Sequence, residues 1–97
     1  MEPLRDPEGY EARNLHLAGR FAGKDVLEIG CGDGWLTWQY AGLVEKVTGI
    51  DPIRSELQNA RTSRPVGITN IALVQTMAES LPFPPGIFDI AVFSNSL

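Results

Sequence analysis

Several things are scarce in this sequence, and each shortage excludes something. There is one cysteine among 97 residues, Cys31. An internal disulfide is therefore impossible, and a reducing compartment fits. There is one histidine, His16, with no companion at metal-ligand spacing, so no metal site is expected. Lysine and arginine never cluster: Arg5, Arg13, Arg20, Lys24, Lys46, Arg54, Arg61 and Arg64 stand singly, and the formal net charge is -4. That argues against a nucleic-acid partner. No apolar run approaches the roughly 20 residues that span a bilayer. The N-terminus, Met-Glu-Pro-Leu-Arg-Asp-Pro, lacks the shape of a signal peptide. The expectation is a cytoplasmic protein with neither a membrane nor a nucleic-acid partner.

What is present reads as a folded chain. Hydrophobic residues make up 43% and charged residues 21%, which excludes disorder, and the length allows one domain at most. Pro3 and Pro7 break regular structure at the start. A helix is expected over residues 8–20, with Tyr10, Leu15, Leu17, Ala18 and Phe21 as its apolar positions and Gly19 and Gly23 at its end. Residues 1–24 form this helical segment, and residues 25–97 form the sheet-containing part.

Four strands are expected, over residues 25–29, 46–50, 68–75 and 87–93. The first is a nearly continuous apolar run, as in a parallel strand covered on both faces. Helices are expected over residues 35–43 and 53–63, with Trp38 and Ala41 of the first, joined by Leu36 and Leu43, and Leu57 and Ala60 of the second, joined by Ile53, facing the sheet. Residues 76–80 read as a connector, and Leu81-Pro-Phe-Pro-Pro-Gly86 is too rich in proline for a helix or a central strand. Strands alternating with helices imply parallel βαβ units with right-handed crossovers.

The chemistry concentrates in Asp25-Val-Leu-Glu-Ile-Gly-Cys-Gly-Asp-Gly34. A buried strand runs into a glycine turn and then a helix, the place where α/β sheets bind ligands. A dinucleotide site needs G-x-G-x-x-G. Here the third glycine position is Trp35, and Asp33 would face an incoming pyrophosphate. Both disfavour NAD. No Lys-Ser/Thr follows the glycines, so a phosphate-binding loop is weaker still. Both tryptophans read as packing residues, Trp35 being the nearer to a ligand. Cys31 reads as a small residue that the turn tolerates, not a nucleophile.

Four strings in order, Val26-Leu-Glu-Ile-Gly-Cys-Gly-Asp-Gly34, Val47-Thr-Gly-Ile-Asp51, Ala78-Glu-Ser-Leu-Pro-Phe83 and Phe88-Asp-Ile-Ala-Val-Phe-Ser94, resemble the class I S-adenosylmethionine (SAM)-dependent methyltransferases. Within that class the chain looks most like the small-molecule enzymes of menaquinone and ubiquinone biosynthesis. The resemblance implies a three-layer Rossmann-like α/β fold of which this chain supplies strands 1–4, ordered 3-2-1-4. It implies SAM as cofactor and a small-molecule substrate. It implies that Glu28 helps hold the amino end of the methionine tail. Gly30, Cys31 and Gly32 would approach that tail, and Asp51 would accept from the ribose hydroxyls. Pro52 and Ile53 would lie against adenine, beside Met77 and Ala78, and Ser94 with Asn95 would line the methyl-donor pocket. Glu28 tying down the loop and Asp51 capping the second helix are the structural alternatives.

One residue departs from the pattern. Where the family carries an acid for the adenine amino group, this chain has Met77, which cannot accept that bond usefully. No catalytic residue is identifiable. The family's later loops, which carry most substrate contacts, are absent, so the chain reads as the N-terminal part of a methyltransferase. Strand 4 would be an apolar edge, and a homodimer covering it or the bare sheet face is expected. A non-catalytic nucleotide-binding or interaction fragment is the alternative reading.

Overall fold

A computed structural model describes residues 20–94 of the chain. The helix expected over 8–20, His16 and Asn95 lie outside the described residues, except that Arg20 is helical together with Phe21. Four strands follow: β1 (Asp25–Ile29), β2 (Lys46–Asp51), β3 (Ile71–Gln75) and β4 (Ile90–Phe93). Two helices sit between them, α1 (Thr37–Tyr40), which tightens into a 3-10 turn at Ala41–Leu43, and α2 (Arg54–Ser63). The sheet is parallel throughout, in the order β3-β2-β1-β4. That is the expected 3-2-1-4 arrangement.

Register decides which residues share a face. Val26 pairs with both Val47 and Ile90, and Val47 with Ile71, so these four side chains form one row. On that face Val26, Val47, Ile90 and Val92 pack with Phe21, Leu36, Tyr40, Ala41 and Val44. The Tyr40 ring meets Phe21 edge-to-face at 5.7 Å. The next row, Leu27, Thr48, Ala72 and Ala91, points the other way. The proline-rich loop serves that second face. Its Phe83 and Phe88 stack edge-to-face at 5.3 Å and line a cavity of about 300 Å³ with Asp25, Lys46 and Thr48.

The elements depart from the expected bounds for local reasons. The first helix starts at Thr37 instead of 35, because the Asp33 carboxylate accepts from Trp35 N at 3.0 Å and holds the chain in a turn. Trp38 is only part-buried, and Leu36, Tyr40 and Ala41 fill the core in its place. The third strand begins at Ile71, not 68, because Ile68 N bonds back to Pro65 O at 3.2 Å. The fourth begins at Ile90, not 87. Asp89 is engaged in a reciprocal pair, its backbone N donating to Asp25 O at 2.8 Å and its carboxylate accepting from Asp25 N at 2.9 Å.

Entry to β3 depends on one amide. Asn70 Nδ2 donates to Ala41 O at 2.9 Å, with Val44 O at 3.2 Å and Glu45 O at 3.3 Å beside it. These carbonyls end the 3-10 turn and have few other donors. Asn70→Ala is expected to lower stability by about 1–3 kcal/mol, the cost of leaving partly buried carbonyls unmet. A denaturant midpoint matching the parent's would show that water replaces the amide without loss.

Candidate functional site

The turn after β1 lies at the carboxyl end of the sheet, and its shape depends on glycine. Gly30, Gly32 and Gly34 have φ of 74°, 55° and 86°, in the left-handed region that a Cβ disfavours. At Gly34 a second constraint applies. A Cβ there would lie 2.5 Å from the Trp38 ring, so the indole occupies the space a side chain would need. Gly49 plays a related part on β2, where a Cβ would come within 3.0 Å of Cys31 Sγ.

Three neighbours pin the turn. From β2, Ile50 O accepts from both Gly30 N at 2.9 Å and Cys31 N at 3.0 Å. From the end of β4, Ser94 N donates to Ile29 O at 3.2 Å, and Ser94 Oγ donates to Gly30 O at 2.6 Å. From the tip of β2, Asp51 Oδ2 accepts from Gly32 N at 3.0 Å, and Asp51 Oδ1 accepts from Ile53 N at 2.9 Å. Ile53 precedes α2 and no side chain caps that helix. The Asp51 carboxylate therefore forms an Asx turn and a bridge between loops, not a helix cap. A carboxylate has about four acceptor positions, and two are used here.

Glu28 lies under this turn, on the α1 side of the sheet and sealed from solvent. Its Oε1 accepts from Thr37 Oγ1 at 2.7 Å and Tyr40 OH at 2.5 Å. Its Oε2 is buried without a partner. Burial raises the Glu28 pKa, against the opposing pull of the Tyr40, Thr37 and Ser94 hydroxyls. Cys31 is buried too. Burial, with Glu28, Asp51 and Glu56 adding negative field, pushes its thiol up to about 12. A thiol so raised is not a nucleophile at neutral pH.

The other expected residues ring the same strand ends. Pro52 and Ile53 follow β2, and Ile53 is 54% exposed. Met77, 45% exposed, and Ala78 follow β3, where Ser80 N donates to Met77 O at 2.9 Å. Trp35, 56% exposed, follows β1. Three large apolar side chains thus stand open to solvent at the carboxyl ends of three adjacent strands. Glu28 is the exception among the expected residues, since no part of its carboxyl reaches the surface. Sequence reasoning missed Thr37 and Tyr40. They fall three apart, on one helix face. A carboxyl in an otherwise apolar strand requires such partners, and that signal was available.

Fold and turn together define a class: the chain belongs to the methyltransferase domain family, which it matches over residues 26–97. Its sheet is the first four strands of the three-layer Rossmann-like methyltransferase fold. It is 34% identical over 93 residues to the ubiquinone/menaquinone biosynthesis C-methyltransferase UbiE of a Shewanella species, covering 91% of this chain and 37% of that protein. It is 35% identical over 66 residues to the uncharacterized methyltransferase YcgJ of Bacillus subtilis, covering 67% of this chain and 26% of that one. The crystal structure of YcgJ superposes with a TM-score of 0.76 at 29% identity, over 89% of this chain and 37% of that chain. A dimethyladenosine transferase from Plasmodium falciparum superposes at 0.73 with 27% identity, over 95% of this chain and 33% of that one. The chain thus spans between about a quarter and two fifths of the length of these relatives. Among the described residues no helix is long and apolar enough to cross a membrane.

The raised Glu28 pKa has a consequence for stability. An unfolded glutamate loses its proton near 4.5, and burial makes the folded one hold its proton to higher pH. Folding then takes up a proton, so this contribution is full below 4.5 and is lost as pH rises through the folded value. Glu28→Gln keeps the shape without the titration. It is expected to remove a slope of up to about 1.4 kcal/mol per pH unit in that window. Thermal unfolding followed against pH measures it, and an unchanged slope would show that Glu28 does not carry the proton.

Proposed function

We propose that this chain is the donor-binding half of a SAM-dependent methyltransferase acting on a small molecule, with residues 1–24 a helical segment and residues 25–97 the N-terminal half of the SAM-binding domain. The observation that carries the reading is the turn itself. Three glycines in left-handed conformation are locked to an Asp51 carboxylate that keeps free acceptor positions. SAM supplies an electrophilic methyl group on a sulfonium; the chain's own residues bind and orient it.

The groups present fit that donor. Glu28, Asp51 and Glu56 set a negative field that Cys31 registers. Such a field suits a cation and opposes a pyrophosphate. The unpartnered Glu28 Oε2 is the atom that would accept from the ammonium of the methionine tail. Gly30, Cys31 and Gly32 supply backbone at close approach. Asp51 would take the ribose hydroxyls on its unused acceptor positions. Pro52 and the exposed Ile53 would lie on adenine, with Met77 against its edge and the Ala78 N–H toward a ring nitrogen. Ser94, already fixed on Gly30 O, would stand at the methyl end. Catalysis in this arrangement is positioning: acceptor, methyl and leaving sulfur held in line.

The quinone methyltransferases among the relatives support a small-molecule acceptor. A dimethyladenosine transferase stands among the structural neighbours, so the case against a nucleic-acid partner rests on charge: -4 overall and no basic cluster. A non-catalytic fragment is the second reading, and Met77 in place of an acid favours it.

Calorimetric titration with SAM, its demethylated product and NAD separates these readings. SAM and its product are expected to bind and NAD is not. NAD binding alone overturns the assignment, and heat from none of the three establishes the non-catalytic reading. Asp51→Asn is expected to weaken binding of the demethylated product at least about tenfold, the value of a charged hydrogen bond. Its 2′,3′-dideoxy analogue should be insensitive to the same change. Equal losses for both ligands would show that Asp51 acts only by holding the loops.

Met77→Asp tests the departure from the family. Restoring one charged hydrogen bond of about 1.5–3 kcal/mol should raise SAM affinity about tenfold or more. An unchanged dissociation constant would place adenine away from residue 77.

A further inference from the structure

The sheet has a second feature, away from the glycine turn and independent of any methyl donor. β3 is a terminal strand, and Ile71–Gln75 carries no charge, no proline and no bulge to guard its open edge. Asn70 O accepts from Val47 N at 3.0 Å and so points toward β2. By alternation Ala72 and Val74 bond toward β2, while Ile71, Leu73 and Gln75 turn their N–H and C=O outward, where no strand among the described residues meets them. Ile71 to Val74 are all only part-buried, in contrast to the buried run of β2.

A cavity of about 460 Å³ lies along this edge, lined by Ile71, Ala72, Leu73, Arg61 and Arg64. Three consecutive residues of β3 line it, so it runs along that strand. Arg61 and Arg64 are three apart at the end of α2, and neither forms an ion pair among the described residues. No acidic side chain shares the lining. Two unneutralised guanidiniums therefore stand over an open row of backbone donors and acceptors.

The geometry points to a docking site for an extended acidic peptide segment, which adds as a strand alongside β3 and places its carboxylates against Arg61 and Arg64. Backbone hydrogen bonds to Ile71 and Leu73 would supply register, and carboxylate–guanidinium pairing would supply the choice of partner. The charge pattern also says what does not bind there. Two copies of this chain joined edge to edge about a two-fold axis would bring both arginine pairs to one seam, and like charges there oppose the dimer. The arginines thus discourage self-pairing of an otherwise unguarded edge and favour a partner of opposite sign.

The test uses blocked hexapeptides in which valine alternates with glutamate or with lysine, followed by calorimetry and by backbone amide shifts of residues 71–75. The glutamate peptide is expected to bind and to slow exchange of the Ile71 and Leu73 amides, with affinity falling as salt rises. N-methylation of alternate peptide bonds should weaken it at least about tenfold, since the strand's hydrogen bonds are then lost. The double variant Arg61→Glu, Arg64→Glu should exchange the preference and bind the lysine peptide. That reversal is a gain, which misfolding cannot mimic. Equal binding of both peptides, indifference to N-methylation, or displacement of the peptide by millimolar inorganic phosphate would overturn the proposal, the last in favour of a simple anion pocket. Concentration-dependent dimerisation blocked by substitutions in β3 would overturn it in favour of self-pairing.

Discussion

The arrangement at the carboxyl end of the sheet depends on one carboxylate. Asp51 accepts from Gly32 N with one oxygen and from Ile53 N with the other. The two amides belong to successive loops, after β1 and after β2. Without that bridge the loops would be joined only through Ile50 O, which already takes two donors. A left-handed turn points its N–H groups inward as a concave row, and such amides need acceptors. An aspartate at the strand tip is short enough to reach both sides, and it uses two of about four acceptor positions to do so. Holding the loop and holding a ligand are therefore not rival roles for Asp51.

Glu28 works on the same turn from beneath and by a different route. A carboxyl in the middle of a parallel sheet loses its hydration, and burial alone makes its ionised form costly. The protein answers with two hydroxyls from α1 on one oxygen, while burial still raises the carboxyl's pKa. The result ties β1 to a helix of a single turn that could not hold itself by its own hydrogen bonds. Tyr40 also closes the core against Phe21, so one side chain serves both the apolar packing and the polar clamp. The same negative surroundings raise the Cys31 thiol and keep it inert.

Much of this was legible in the residues. Apolar runs bounded by glycine and proline located all four strands, the alternation of strands and helices implied parallel pairing, and the resemblance to the methyltransferases implied their order. The glycine turn, with Trp35 and Asp33 beside it, narrowed the ligand class. What was not legible came from long-range partners. Asp89 pairs with Asp25 across 64 positions and delays the start of β4. Asp33 folds back on Trp35 and shortens the first helix, a short-range effect that competes with helix periodicity. Trp38 was assigned to the sheet by spacing, but Gly34 leaves an opening that the indole takes instead. A pattern of apolar positions reports which residues are buried more reliably than what they are buried against.

The two ends of the sheet carry the last distinction. β4 and β3 are the terminal strands of the sheet among the described residues. The side chains of β4 are covered on both faces, with Ala91 and Val92 fully buried, and its far end is locked by Ser94 to the glycine turn. That strand belongs to the core. β3 is different: its side chains are part-exposed, and among the described residues the charges lining the cavity at its edge are Arg61 and Arg64, neither in an ion pair. An uncharged edge flanked by uncompensated charge is stable alone only because the charge repels its own copy. The same physics that keeps β3 from pairing with itself selects the sign of whatever does pair with it.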